Sequence, residues 1–149
     1  DRGEELIKAY QAELEQIKTR AAALKRSPRV LLLLSVRDGS PIAAGQDTTG
    51  NAIIAISGGQ NVAMFDGWKP MNSEAIISAA PDIIVMSTLH VERLGGIDVI
   101  MGREDIAATP AGQLQTYVAL SPQLMLQFGP RSPEAMKDLI AAFESVTQG

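Results

Sequence analysis

The sequence of 149 residues contains no cysteine, which removes disulfides, thiolate metal sites and cysteine nucleophiles together. Its single histidine, His90, excludes a zinc site built on two histidines; it reads either as a solvated residue or as a lone axial ligand to a cofactor metal. Aromatic side chains are scarce, with three Phe, two Tyr and one Trp, and 17 acidic residues outnumber 13 basic ones. Without a basic stripe or stacking platform, no nucleic acid is expected as a partner. The longest apolar runs, such as Val30 to Leu34, fall far short of the ~20 residues of a membrane span, so no membrane insertion is expected. There is no Gly-x-Ser-x-Gly, and Gly58-Gly59 and Gly95-Gly96 lack the spacing of a phosphate or dinucleotide loop. No enzymatic constellation emerges, and the chain is expected not to be an enzyme.

What is present is a globular composition, 46% apolar and 20% charged, in a chain long enough to bury roughly 70% of its unfolded surface around one core. From Leu6 to Leu24, Ile7, Tyr10, Leu14, Ile17, Ala21 and Leu24 recur at steps of three and four, which predicts a long amphipathic helix ended by Ser27-Pro28. Asp1 stands where Met would, and a charged helical pattern follows it instead of an apolar leader, as expected of a processed chain or a fragment. Arg29 to Val36 and Asp82 to Ser87 are apolar runs of strand length, and Tyr117 to Leu120 is a third. Asp38 to Pro41 reads as a loop, and Asn61 to Phe65 as a short strand. Helices are predicted over Thr49 to Ser57, from Asn72 or Ser73 to Ala80, over Leu89 to Leu94, in a short segment opened by Ser121-Pro122, and from Ser132 onward. Residues 1–26 thus form a long helix and residues 27–149 an α/β unit, with a mainly parallel sheet flanked by helices.

In open α/β sheets ligands gather beyond the carboxyl ends of strands. That rule singles out Arg37 and Asp38, Met64 and Phe65, Ser87 to His90, and Leu120 to Pro122. Glu104 and Asp105 are neighbours on an expected surface turn with nothing apolar around them to raise a pKa. Glu74 falls in a first helical turn, where the helix dipole favours an anion.

Ala44-Gly45-Gln46-Asp47-Thr48, Ser57-Gly58-Gly59-Gln60-Asn61, Ser73-Glu74-Ala75 ahead of Pro81-Asp82-Ile83-Ile84, and Phe128-Gly129-Pro130-Arg131-Ser132-Pro133, with Thr109-Pro110-Ala111, carry a resemblance. From Gly45 to Arg131 the chain resembles the C-terminal lobe of the periplasmic haem-binding proteins of ABC importers. These belong to the wider class of helix-linked, two-lobed siderophore and cobalamin binders.

The resemblance implies a connector helix between lobes, an N-terminal lobe absent from this chain, haem as transported ligand, ABC importer permease subunits as partners, and a periplasmic location. It implies that the lobe supplies one wall of a cleft, with the iron-ligating tyrosine on the absent lobe, so that this lobe alone binds haem weakly at best. Arg37, beside Asp38, is then a partner for a haem propionate, to which a guanidinium offers two parallel donors. Met64 and Phe65 offer apolar surface to the porphyrin, His90 is a weak candidate for the metal, and Arg131 is cleft-side or lobe-supporting. Glu74 matches the glutamate that such proteins present to permease arginines. A siderophore or corrinoid carrier, or a single-lobe protein-interaction module, are the alternatives.

Overall fold

The computed structural model describes residues 2–37, 40–93, 95–120 and 132–147. A helix α1 (Arg2–Ala22) leads into strand β1 (Arg29–Arg37) and its hairpin partner β2 (Ser40–Ala44), followed by α2 (Thr49–Ile56), β3 (Gln60–Asn61), β4 (Trp68–Pro70) and α3 (Ser73–Ala79). Then come β5 (Ile83–Ser87), four short helices α4 (Thr88–Arg93), α5 (Ile97–Met101), α6 (Glu104–Ala107) and α7 (Pro110–Leu114), strand β6 (Tyr117–Leu120) and a final helix α8 (Ser132–Thr147). The short helical segment expected after Ser121 lies outside the described residues.

The strands form one sheet in the order β4-β2-β1-β5-β6, with β3 also paired to β1. β1 pairs in parallel with β3 and β5, and β5 with β6. β2 is antiparallel to both of its neighbours, β1 and β4. β2 is therefore the one reversed strand among those described, and the sheet is mainly parallel, as the apolar runs predicted.

Alternation along β1 and β5 divides the core between the two faces of the sheet. Val30, Leu32, Ile83 and Val85 pack with Ile17 of α1, Ile53 and Ile54 of α2, and Met136, Leu139 and Phe143 of α8. Leu31, Leu33, Ile84 and Met86 pack with Met71, Ile76 of α3, Ile100 and Met101 of α5, Ile106 of α6 and Ala111 of α7. Runs apolar at every position are what a strand covered on both faces requires.

Three differences from the sequence reading have local causes. The residues Ser40 and Pro41, read as loop, open β2. Proline has no N–H to give a ladder, but Pro41 is the second residue of the strand and its carbonyl accepts from Met71 N at 2.9 Å. The strand expected over Asn61 to Phe65 stops at Asn61, whose side chain takes over the pairing: Nδ2 donates to Ala44 O at 2.9 Å and Oδ1 accepts from Ala63 N at 3.0 Å. That local bond is an Asx-type turn, which bends the chain off the sheet. β4, α5, α6 and α7 have no counterpart in the sequence reading, being three to five residues long.

The end of α2 behaves as its glycine pair predicts. Gly58 adopts φ +94°, its N–H donates to Ala55 O at 3.1 Å, and Gly59 N–H donates to Ile54 O at 2.9 Å. This is a Schellman cap, and a Cβ at Gly58 would lie 2.8 Å from the Leu24 side chain. The same glycine thus ends α2 and lets the chain after α1 pack against it. α1 itself is divided: Ile17 is buried, whereas Leu6 and Ile7 are 69% and 59% exposed. Its second half is fastened to α8 by Arg20, which donates to both carboxylate oxygens of Glu144 at 3.2 and 2.5 Å.

Candidate functional site

The carboxyl ends of β1 and β5 emerge side by side, because the two strands are parallel neighbours in register from Val30↔Ile83 to Leu33↔Met86. Arg37 is the last residue of β1, its backbone paired with Ser40 in the hairpin. β5 ends at the buried Ser87 and passes directly into α4, whose third residue is His90. The topology therefore leaves the backbones of Arg37 and His90 each four residues past the last β1–β5 pair, beyond the carboxyl end of the parallel strands. Asp38 and Arg131 lie outside the described residues, as do the side chains of Arg37 and His90.

Met64 and Phe65 sit elsewhere. β2 runs back from the hairpin, and beyond its end Gln46 N donates to Phe65 O at 2.7 Å. Gln46 is six residues past Ser40, up to about 20 Å along an extended chain. The structure therefore does not bring Met64 and Phe65 to Arg37. Met64 is 81% exposed, so core packing, the ordinary role of a methionine, does not apply to it. Phe65 packs partly against the core, with Lys69 Nζ 5.7 Å from its ring centroid.

The loop that carries Met64 is held by polar side chains from the two glycine-bearing landmarks. Gln46 Nε2 donates to Ala63 O at 2.6 Å, Asn51 Nδ2 to Gln46 O at 2.6 Å, and Asn61 Nδ2 to Asn51 Oδ1 at 3.2 Å. Gly67 N donates to the Asp47 carboxylate, and Thr48 caps α2 by accepting from Asn51 N at 3.1 Å. Gly45 lies against this loop with no room for a side chain, since a Cβ there would overlap Phe65 O and lie 2.6 Å from Gly67 O. Met64 is thus an exposed methionine on a loop whose backbone is closely bonded.

Glu74 is exposed at the second position of α3. Asn72 caps this helix, accepting from Ala75 N at 2.7 Å. The far end is fixed as well, with Ala80 left-handed at φ 49° and Ala79 O accepting from Arg29 Nε at 2.7 Å. Pro81-Asp82 then turns the chain into β5, and the Asp82 carboxylate accepts from Arg29 N at 2.9 Å and Arg26 at 2.8 Å.

Asp105 overturns the surface-turn expectation for the Glu104-Asp105 pair. Glu104 is exposed, but Asp105 is only 4% exposed. Its carboxylate accepts from Arg103 Nε and Nη2, both at 3.2 Å, from Ile106 N at 2.8 Å and from Ser73 Oγ at 3.2 Å. Burial pushes the Asp105 carboxyl up, but the Arg103 guanidinium, the Ile106 amide and the Ser73 hydroxyl outweigh it and hold the carboxyl below its ordinary value. Sequence neighbours gave no sign of this, because the groups that bury Asp105 come from α3 as well as its own turn.

Among the described residues no group of three or more His, Asp or Glu side chains is arranged to hold a metal ion, and no helix is long and apolar enough to cross a membrane.

A mainly parallel sheet covered on both faces, preceded by a helix whose second half packs on the core and whose first half exposes Leu6 and Ile7, is the architecture of one lobe of a two-lobed solute-binding protein. The chain belongs to the periplasmic binding protein family, whose sequence profile matches residues 1–124, and its place is the periplasm. It is similar to the periplasmic heme-binding protein RhuT from Roseiflexus sp. RS-1 in apo form, with a TM-score of 0.90 and 32% identity over 99% of this chain and 57% of that one. A periplasmic heme-binding protein from Pseudomonas aeruginosa gives a TM-score of 0.83 and 26% identity, over 97% and 53% of the two chains. In sequence it is 24% identical to the uncharacterized ABC transporter substrate-binding lipoprotein YvrC of Bacillus subtilis (strain 168), over 93% of this chain and 43% of YvrC. The chain thus spans about half the length of these relatives.

Proposed function

We propose that this chain is the C-terminal lobe of a haem carrier that delivers its ligand to an inner-membrane ABC importer, with residues 1–26 as the connector to an N-terminal lobe. The observation that carries this reading is the likeness, over nearly the whole chain, to proteins described as periplasmic heme-binding. The landmarks around Gly45, Asn61 and Asp82 support it, since each holds a loop or strand end in place. A carrier of this kind needs no catalytic residue. It needs two walls, because each wall covers only one face of a flat ligand.

In this reading the strand-end edge bearing Arg37, Asp38 and His90 faces the cleft. Arg37 pairs with a propionate, which a planar guanidinium can grip through two parallel hydrogen bonds. His90 is the weak candidate for an iron contact, and Arg131 supports the cleft side. Met64 and Phe65 are the apolar contact of this reading, and they lie beyond the end of β2, away from Arg37. Glu74, an exposed anion on a helix pinned at both ends, docks on arginines of the permease. Such a charge steers association and fixes register while adding modest affinity, which permits release.

Two experiments test the reading. Absorbance titration of the two-lobed protein should show saturable binding of haem and none of ferric siderophores or cobalamin; the reverse preference would replace haem by one of those ligands. Glu74→Ala in that protein should leave haem affinity intact and reduce haem uptake through the importer, and unchanged uptake would remove the docking role.

A further inference from the structure

The buried Asp105 lies on a helix that bears none of the residues assigned above. We propose that Asp105 is a positioning residue for docking, fixing the first turn of α3 so that Glu74 meets the importer in one orientation. The proposal rests on the docking role of Glu74.

A carboxylate buried on a four-residue helix loses its hydration, and pairing it with Arg103 offsets that loss without making the pair a strong source of stability. Ile106, the next residue, belongs to the apolar core on this face of the sheet, so an apolar side chain at position 105 would also be compatible with burial. What an apolar residue could not do is accept the Ser73 hydroxyl. Ser73 is the first residue of α3 and Glu74 the second, so the Ser73–Asp105 bond acts one residue away from the exposed carboxylate.

The anchor itself is held firmly. Asp105 accepts the amide of Ile106 and two hydrogen bonds from Arg103, which orient its carboxylate. α6 is in turn tied down through Thr109, which accepts from Gly112 N at 3.2 Å and donates to Ile106 O at 2.6 Å. Ala111 N, on α7, donates to Pro81 O at 3.0 Å. The helix bearing Glu74 is thereby pinned at its start through Asp105 and at its end through Arg29 and Pro81. An isolated helix of seven residues would not hold one orientation in water.

The test is a double-mutant cycle on the two-lobed carrier, reading its affinity for the purified permease in lipid nanodiscs, haem affinity and the thermal melt. Asp105→Asn and, separately, Ser73→Ala should weaken permease affinity roughly three- to ten-fold, as expected of residues in one hydrogen-bond network. Haem affinity should not change, and neither variant should weaken docking further when Glu74 is already Ala. Ser73→Ala leaves the Arg103 pair in place, so it reports even if Asp105→Asn does not fold. Full permease affinity in both variants would overturn the proposal, as would an equal loss with and without Glu74, because a general loosening of the lobe acts in both backgrounds. If Glu74→Ala alone leaves permease affinity unchanged, the docking role fails and this proposal fails with it; if Glu74→Ala weakens docking and these variants do not, only this proposal fails.

Discussion

The Ser73 hydroxyl donates to the Asp105 carboxylate at 3.2 Å, joining the first turn of α3 to the first turn of α6 across 32 residues of chain. The acceptor is buried, and the residue after the donor is the exposed Glu74.

Acid should release this junction. The Asp105 carboxyl is held below its ordinary value of 3.8 in the folded chain, so the unfolded chain binds more protons in that range. The stabilisation is complete above pH 3.8 and is lost as pH falls through the lower folded value. Denaturant melts of the wild type and Asp105→Asn from pH 7 to pH 2 should show a gap that is constant at neutral pH and narrows in the acid limb. A gap that stays constant throughout would contradict the assignment.

The two halves of α1 should respond differently to truncation. Ile17→Ala removes a buried side chain between the sheet and α8, and should cost about 2–4 kcal/mol. Leu6→Ala, at a position 69% exposed, should change stability by less than about 0.5 kcal/mol. Urea unfolding of the 149-residue chain measures both, and similar costs would show that the first half of the helix is packed.

Gly45→Ala should destabilise the lobe by about 1–3 kcal/mol, since the added methyl meets the backbone carbonyls of Phe65 and Gly67, neither of which can rotate away. The bonds from Gln46 N to Phe65 O and from Gly45 N to Gly67 O would open with it, so amide exchange should accelerate there first. Unchanged protection at Gly45 and Gln46 would show that the contact relaxes cheaply.

Arg20→Ala should cost at most about 1 kcal/mol, because both side chains of the Arg20–Glu144 pair are more than a third exposed and screened by water. The hydrogen bond to Arg20 holds the Glu144 carboxyl below its ordinary value. Its small contribution should shrink further in molar salt, and a larger or salt-independent loss in thermal melts would point to packing by the Arg20 stem.

Much of this architecture was legible in the sequence wherever burial dictates pattern. Val30 to Leu33 and Ile83 to Met86 are apolar at every position because both faces are covered, and the Gly58-Gly59 stop follows from the positive φ at Gly58. What could not be read was decided between distant residues. Pro41 reads as a loop residue in sequence because what makes it strand is distant pairing, with Val36 of β1 on one side and Met71, just past β4, on the other. Asn61 ended its own strand through a side chain reaching Ala44. Asp105 looked exposed because Ser73, one of its partners, lies on another helix. The candidate site shows the same division: Arg37 and His90 each follow the end of one of two parallel neighbouring strands, while Met64 and Phe65 lie beyond the end of β2, where Gln46 N meets Phe65 O.

Haem titration of this lobe alone beside the two-lobed protein distinguishes one wall of a cleft from a complete site. A lobe that forms one wall of a cleft should give weak, non-saturating Soret changes, while the two-lobed protein binds tightly and stoichiometrically. Tight, stoichiometric binding by the 149-residue lobe, with an axial-ligand signature lost in His90→Ala, would contradict the account.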